Sequence, residues 1–387
     1  MQQKSRILIL STTYLPYIGG SELAIKNITD RITNFEFDLI TARPGNVPEY
    51  ERIGNVNVFR VGGFFSLSKL ILPKLTLPIS VFLKARTLLK ANDYKFLHAY
   101  QASGAAGAGW LLKFFYSRIT FMVTLQEGKN LSSQGFLINF FRNLIIRKAD
   151  YATAISKYLA NYISQVNKNL RAEVIPNGVD VDNFSKEFSY GETTELENKL
   201  GIKADDKVII SVSRLVEKNG LDLLIDALNV LNERYKVQGT RYKLLIVGGG
   251  PLKESYKLQV TSYKLQDQVI FAGSVGYDDL PIYLKISDVF VRPSRSEGLG
   301  SAFLEAMAAG VPIIGTKVGG IPDFLEDRRT GLFTKLDPED IASKIFILFE
   351  NTALRHDIIR NGSNLVREKY NWDKIAIQFK ELYRELG

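Results

Sequence analysis

Hydrophobic and polar positions alternate in two registers along this chain. "RILILST" at residues 6–12 is a short apolar run, followed by a Gly-Gly turn and by "SELAIKNITDRI", whose apolar positions recur at helical spacing. The same exchange continues through "EFDLITA", "VNVFRV", a long basic-apolar stretch at 64–90, "KFLHAY", "ASGAAGAGWLLKFF" and "ITFMVTL". "GFLINFFRNLIIRKADYATAIS" reads as a helix running into a strand. Short β-rich runs separated by helices predict βαβ units around a parallel sheet covered on both faces.

The alternation stops at the turn-rich "VIPNGVDVDNF" (174–184) and restarts with "KVIISVSRL", "GLDLLIDALNVLNERY", "KLLIVGGG", "ESYKLQVTSYKL", "VIFAGS", "YDDLPIYLKIS", "DVFVRPS", "GSAFLEAMAAG", "VPIIGT" and "TGLFTK". A length of 387 residues is about right for two domains of this kind. The expected class is therefore α/β, with two Rossmann-like, doubly wound parallel-sheet domains facing each other across a cleft. The expected boundaries are 1–184 and 185–369, with the helix of 370–387 ("YNWDKIAIQFKELYREL") packing back on the first domain.

Composition narrows the chemistry. The chain has no cysteine and only His98 and His356, which excludes disulfides and cysteine-ligated zinc and points to a reducing, cytoplasmic setting. Lys4 and Arg6 precede an apolar run too short for a signal peptide, so Ile7–Leu10 is expected as a buried strand. The best membrane-spanning candidate is interrupted by Lys69, Pro73, Lys74 and Pro78. Residues 1–183 hold 22 Lys and Arg against 12 Asp and Glu, a net +10, whereas 184–387 hold 28 against 29, a net −1. A one-sided basic charge fits an anionic partner for the first half, or simple solubility. No nucleic-acid motif accompanies it, and no nucleic acid is expected.

The densest chemistry lies in "SEGLGSAFLEAMAAG" (296–310). Glu297 sits on the loop after a buried strand and Glu305 inside the following helix. Gly298 and Gly300 let main-chain N–H groups approach a ligand, and a helix start offers unpaired donors and partial positive charge. The two carboxylates suit paired sugar and ribose hydroxyls. In "SVSRLVEKNG", Arg214 and Lys218 end another strand, where two cations can hold a diphosphate. Gly248 and Gly249 end a third strand, and Gly19 and Gly20 precede a helix with Ser21 read as its cap. Each feature alone is equally an ordinary turn or helix start. Four such loops together favour a nucleotide-diphosphate ligand.

The Gly-Gly-x-Glu near the N-terminus, "VIPNGVDVDNF", "SRLVEKNGLDLLIDAL", "LLIVGGGP" and "SDVFVRPSRSEGLGSAFLEAMAAGVPIIGTKVGGIPD" resemble the retaining glycosyltransferases of glycosyltransferase family four, which have the GT-B fold. The similarity covers nearly the whole chain and is strongest from 174 to 336. It implies transfer of a hexose from a nucleotide-diphosphate sugar to an acceptor hydroxyl with retained configuration, without a metal or other cofactor. Glu297 matches the glutamate near the donor sugar, and Gly298, Leu299, Gly300, Ser301 and Ala302 the main-chain donors to sugar and phosphate. Glu305 matches the acid on the ribose, Arg214 the arginine on the diphosphate, and Gly19 and Gly20 the first-domain phosphate loop.

Two positions depart from the pattern. Gln126 stands where many relatives have a histidine, so a role requiring imidazole is absent; Asn219 stands where a lysine is usual, with the cation one residue earlier at Lys218. Glu127 reads as a group binding the acceptor rather than a base or nucleophile. Asp180 and Asp182 form an Asp-x-Asp read as structural, His98 as a hydrogen-bonded core residue, and Tyr14, Tyr17, Tyr100 and Trp110 as packing. The acceptor is expected to be a glycan or lipid-linked, in cell-surface polysaccharide or glycolipid synthesis, with the basic half peripheral on the inner face of the cell membrane. Stretch 64–90, which has Lys69, Lys74, Lys84, Arg86 and Lys90 and no acid, is the expected membrane surface; packing on its own sheet is the alternative. An epimerase or hydrolase of the same fold, or a non-catalytic sugar-nucleotide-binding protein, remain the competing readings.

Overall fold

The computed structural model describes residues 5–62, 72–128, 131, 134–235 and 241–386. Residues 64–71 of the basic-apolar stretch, Lys69 among them, lie outside the described residues, as do the side chains of Pro73 and Lys74. The chain divides into two compact units, Met1–Gly178 with Trp372–Gly387, and Val179–Asn371. The cut falls at Gly178 because Val181–Phe184 forms a helical turn capped by Asp180, whose carboxylate accepts the Asn183 N–H at 3.1 Å, and Phe184 packs edge-on against Tyr277. Tyr370 stays with the second unit: its carbonyl accepts the Val179 N–H at 2.6 Å and its hydroxyl donates to the Asp323 carbonyl at 3.2 Å.

Among the described residues, the first unit is built on eight strands: β1 (Ser5–Ser11), β2 (Phe35–Ala42), β3 (Tyr50–Ile53), β4 (Val56–Val61), β5 (Tyr94–Tyr100), β6 (Thr120–Leu125), β7 (Tyr151–Ala154) and β8 (Ala172–Val174). Their order is β3-β4-β2-β1-β5-β6-β7-β8, all parallel except the β3–β4 hairpin. That hairpin was not legible as two strands, although "YERIGNVNV" has the form of two short runs around a Gly-Asn turn. The strands are buried on both faces, as continuous apolar runs require in a helix-covered parallel sheet. Their core takes in Ile7, Ile9, Phe37 and Phe96 together with Trp372, Ile375, Phe379 and Tyr383 of the helix Trp372–Leu386. Each such side chain contributes about 1.5–3 kcal/mol on burial.

The second unit carries β9 (Asp206–Val212), β10 (Arg241–Val247), β11 (Val269–Gly273), β12 (Val289–Arg292), β13 (Ile313–Thr316) and β14 (Leu332–Thr334) in a parallel sheet ordered β11-β10-β9-β12-β13-β14. In each sheet the chain starts near the middle, works outward on one side, then crosses back. The reversal lies between β1 and β5 in the first unit and between β9 and β12 in the second. Loops leaving the carboxyl ends of strands at such a switch point diverge and leave a crevice.

Candidate functional site

In the second unit the loops at the switch point are 213–220, after β9, and 293–300, after β12. Several side chains lock them together. Arg295 forms a two-pronged pair with Asp222 (2.9 and 2.6 Å), and its N–H donates to the Lys218 carbonyl at 2.7 Å. Asn219 is buried and donates to the Arg214 carbonyl at 2.6 Å, so it closes its own loop rather than supplying a charge.

The cation of that loop is Lys218, whose Nζ lies 3.8 Å from Glu297 Oε1. Arg292, at the end of β12, donates to the other carboxylate oxygen of Glu297 at 2.7 Å, and its guanidinium lies 4.6 Å over the Phe303 ring. A buried guanidinium requires such a partner. Burial lowers the Lys218 ammonium; Glu297 opposes this, and Arg292 and Arg214 add to it. The Arg214 side chain is exposed and forms no hydrogen bond or ion pair among the described residues. Two cations thus share one carboxylate, and Arg214 adds its charge beside Lys218.

The Glu297 side chain also accepts the Gly298 N–H at 3.2 Å. Gly298, Leu299 and Gly300 are buried, and Gly300 at φ +101° caps the helix Ser301–Ala308 without a side-chain hydrogen bond. The first N–H groups of that helix, Ser301 and Ala302 included, have no partner within it. Gly319 backs the turn: a Cβ there would overlap the Glu297 carbonyl oxygen, and its φ is +54°. Glu305 projects from the helix into a buried position, and its carboxylate accepts no hydrogen bond among the described residues. Burial raises its carboxyl to about 7, with Arg292 pulling the other way. Gly248 and Gly249 are differently employed. The Gly248 N–H is spent on the Gly273 carbonyl (2.7 Å), and the Gly249 carbonyl accepts the Leu215 N–H (3.0 Å), so these glycines pack two loops together.

In the first unit, Gly19 is the N-cap of the helix Gly20–Arg31, with no side-chain cap. Ser21 is inside the helix, which corrects its reading as the cap; its hydroxyl donates to Glu22 at 3.0 Å. Glu22 is buried, also accepts the Thr13 hydroxyl, and sits 2.7 Å from where a Gly19 Cβ would be. A carboxylate thus lies against the Gly19–Gly20 turn, which disfavours a second anion there. Asn177, from "VIPNG", donates to Gln126 Oε1 at 3.2 Å and to the Gly20 carbonyl at 3.5 Å, joining those two positions.

Glu127 is buried. Its carboxylate accepts the N–H groups of Ala102 and Gln126, both at 2.9 Å, and lies 3.9 Å from Arg142. Burial raises its carboxyl, and Arg142 and the backbone donors oppose the rise. With both oxygens engaged by the backbone, Glu127 holds the loops after β5 and β6. His98 is a core residue bonded to Tyr383 (2.9 Å) and Thr124 (2.6 Å), and burial lowers it to about 3. Tyr14 and Tyr100 are core, Tyr17 is exposed, and Trp110 stacks edge-on with Phe114. Arg292, Arg295, Asn177 and Gly319 were not singled out from the sequence, and Glu22 entered only as the last residue of the Gly-Gly-x-Glu, without a role. The charged end of the buried run "DVFVR" is the one local signal that could have found Arg292.

Residues 18–183 match the family model described as Glycosyltransferase Family 4, and residues 192–365 the model described as Glycosyl transferases group 1. The chain is 27% identical over 382 residues to an uncharacterized glycosyltransferase of Methanocaldococcus jannaschii, covering 98% of each protein. It is 31% identical over 244 residues, 61% of this chain and 62% of the relative, to the GDP-mannose-dependent alpha-(1-6)-phosphatidylinositol monomannoside mannosyltransferase of Mycobacterium tuberculosis. The crystal structure of Anabaena HepE in complex with UDP and glucose has the same fold, with a TM-score of 0.78 at 22% identity over 98% of this chain and 100% of that one. With one family model on each unit and the site-bearing turns inside the matched ranges, this chain belongs to the family-four glycosyltransferases and has their GT-B fold.

Proposed function

We propose that this glycosyltransferase moves a hexose, with retention and without a metal, from a nucleotide-diphosphate sugar to a hydroxyl of a glycan or lipid-linked acceptor, in polysaccharide or glycolipid synthesis. The observation that carries the reading is the surplus of positive charge at one turn: Lys218 and Arg292 both pair with the carboxylate of Glu297 beside a helix start, and Arg214 is near enough to Lys218 to add its repulsion. Such a site suits a diphosphate. In this reading Arg214 and Lys218 hold the diphosphate. The main chain of Leu299, Gly300, Ser301 and Ala302 donates to phosphate and sugar oxygens, joined by Gly298 once its N–H leaves the Glu297 carboxylate; Glu297 lies by the donor sugar, and Glu305 takes the ribose hydroxyls.

Departure of the diphosphate leaves an oxocarbenium-like sugar and concentrates negative charge on the leaving phosphate. Fixed cations and N–H groups stabilise that charge as it forms, which lowers the barrier. A leaving phosphate oxygen takes the acceptor proton on the face where the new bond forms, so configuration is kept. Gln126 hydrogen-bonds the sugar or acceptor without titrating, and Glu127 positions it through the backbone. Gly248 and Gly249 set the shape of the donor loop. Gly19 and Gly20, backed by Glu22, border the acceptor side rather than hold phosphate. The M. tuberculosis relative, by its name, uses GDP-mannose and a lipid-borne mannoside, which supports a nucleotide-sugar donor and a membrane-side acceptor. Work at the inner face of the cell membrane belongs to the same proposal.

The test is turnover of a panel of nucleotide-sugars with and without glycan and glycolipid acceptors, with the product anomer read by NMR and the assay repeated in EDTA. Acceptor-dependent release of nucleoside diphosphate, a retained anomer and indifference to EDTA are expected. Acceptor-independent turnover would make the protein an epimerase or hydrolase, and nucleotide binding without turnover would make it a silent binder.

A further inference from the structure

Three neighbouring helices of the first unit, Leu72–Ala91, Ala106–Phe115 and Phe136–Lys148, contain no acidic residue. The third begins with Phe136, Leu137, Ile138, Phe140 and Phe141 turned to solvent, Phe136 being 80% exposed. Counting about 100° per residue, these five cover about 200° of the helix circumference. The buried side of this helix starts only at Arg142, Ile145 and Ile146. Its first turns are therefore apolar over most of their surface and stand clear of the core, a pattern unlike the single inward stripe of an ordinary covering helix.

The apolar surface continues onto the neighbours. Phe114 and Phe115 are exposed on the second helix, and Phe115 packs 5.6 Å from Phe82 of the first, which exposes Ile79 and Leu83. Lys148 Nζ lies 4.8 Å over the Phe114 ring, so the last residue of the third helix, at the far end from Phe136, meets the second. Cations border the patch: Arg86, Lys90, Arg118 and Arg147 are exposed. Clusters of exposed apolar side chains on three packed helices mark a docking surface, whereas single exposed hydrophobics do not.

We infer that this surface seats the protein on an anionic lipid bilayer, with the first turns of Phe136–Lys148 inserted among the headgroups. The charge selects the occupant. A second copy would oppose cation to cation, since the three helices carry no acid and the neighbouring Asp150 is already paired with Lys113, whereas an anionic leaflet offers apolar depth for the phenylalanines and negative headgroups for the Arg and Lys. The inference deepens the membrane-side reading proposed above and rests on it for its purpose, while the surface itself stands on the exposures. It moves the contact away from stretch 64–90 alone. It also ties docking to the acceptor side, because Arg142 of the inserted helix holds Glu127, and Glu127 holds the backbone of Gln126 and Ala102.

The experiment is co-sedimentation of the full chain with vesicles of phosphatidylglycerol and phosphatidylcholine, or of phosphatidylcholine alone, at low and high salt. Binding to the anionic vesicles at low salt is expected, weakening as salt rises. Combining Phe136→Ser, Leu137→Ser and Phe140→Ser should weaken it by about tenfold or more. Arg86→Glu with Arg147→Glu should weaken it and remove the salt dependence. The exposed apolar controls Tyr190→Ser and Leu258→Ser in the second unit should change nothing, and all variants should melt as the parent does. Equal binding to neutral vesicles, no binding at all, or an unaltered triple variant would overturn the inference; so would a solution dimer that the triple variant dissociates. Transfer to a soluble acceptor is measured in parallel. If the triple variant keeps it, failure to bind vesicles leaves the glycosyl-transfer proposal standing; if the parent binds vesicles and transfers nothing, that proposal falls instead.

Discussion

Glu305 lies in a buried position one helical turn beyond the turn 293–300, and its carboxyl is raised from an ordinary 4.5 to about 7 because burial penalises the charged form. Between those values the folded protein keeps a proton that the unfolded chain has lost. The unfolding free energy therefore falls as pH rises through the window, by up to about 3 kcal/mol. Glu305→Gln has no proton to lose, so its melting temperature relative to the parent should be more favourable at about pH 8 than at about pH 5. An equal difference at both would remove burial as the cause. In the proposed role, nucleotide affinity should rise severalfold as pH climbs through about 7, and calorimetry on Glu305→Gln should show that dependence flattened. Gly319 gives a steric counterpart. Alanine there would drive its Cβ into the Glu297 carbonyl oxygen at a φ of +54°, so Gly319→Ala should cost about 2 kcal/mol or more and weaken donor binding over tenfold. Unchanged binding would show the turn can move freely.

Helices and loops are joined by a few buried polar pairs, and breaking one should be felt at both ends. Arg142→Ala leaves Glu127 buried without its counter-charge and should cost about 3–5 kcal/mol by denaturant unfolding. Glu127→Gln strips one acceptor from the two loop N–H groups and should lower activity modestly. The double variant Glu127→Gln with Arg142→Met should be less unstable than the sum of the two changes; strict additivity would mean the pair does not couple. The helix Trp372–Leu386 is pinned by Tyr383 to His98. His98 is held near 3, so between about 3 and 6.5 the unfolded chain binds a proton that the fold refuses, and stability is lost as pH falls through about 6.5. Tyr383→Phe should cost about 1 kcal/mol through the unpaired imidazole nitrogen, read as a lower melting temperature.

The molecule is two cores linked twice by the chain, once before Val179 and once after Asn371. Helix Trp372–Leu386 completes the first core although it follows the second unit in sequence. Ending the chain at Asn371 should expose Ile7, Phe37 and Phe96, abolish cooperative folding of the first unit and leave 179–371 as the protease-resistant fragment. Survival of the first unit's near-ultraviolet dichroism would contradict this. The α/β class, the succession of most strands and helices along the chain and the loops bearing Glu297, Arg214 and Lys218 were legible in the sequence, because strand and helix periods and glycine turns are short-range signals. "VNVFRV" was legible as β4, but its hairpin partner β3 escaped because it is only four residues long and has no buried face.

Glycine placement, strand runs and the Glu297–Glu305 spacing are properties of neighbouring residues, so the chain alone specified the architecture and the glycine-rich turn that bears Glu297. Partnership is different. Lys218 with Glu297, Arg295 with Asp222, Asn177 with Gln126, Glu127 with Arg142 and His98 with Tyr383 are far apart in the chain, and no periodicity records which polar group meets which. Those pairings, the engagement of Gly248 in loop packing and the exposure of Phe136–Phe141 follow from how the elements stack, since burial and desolvation act on a side chain only once its neighbours in space are in place.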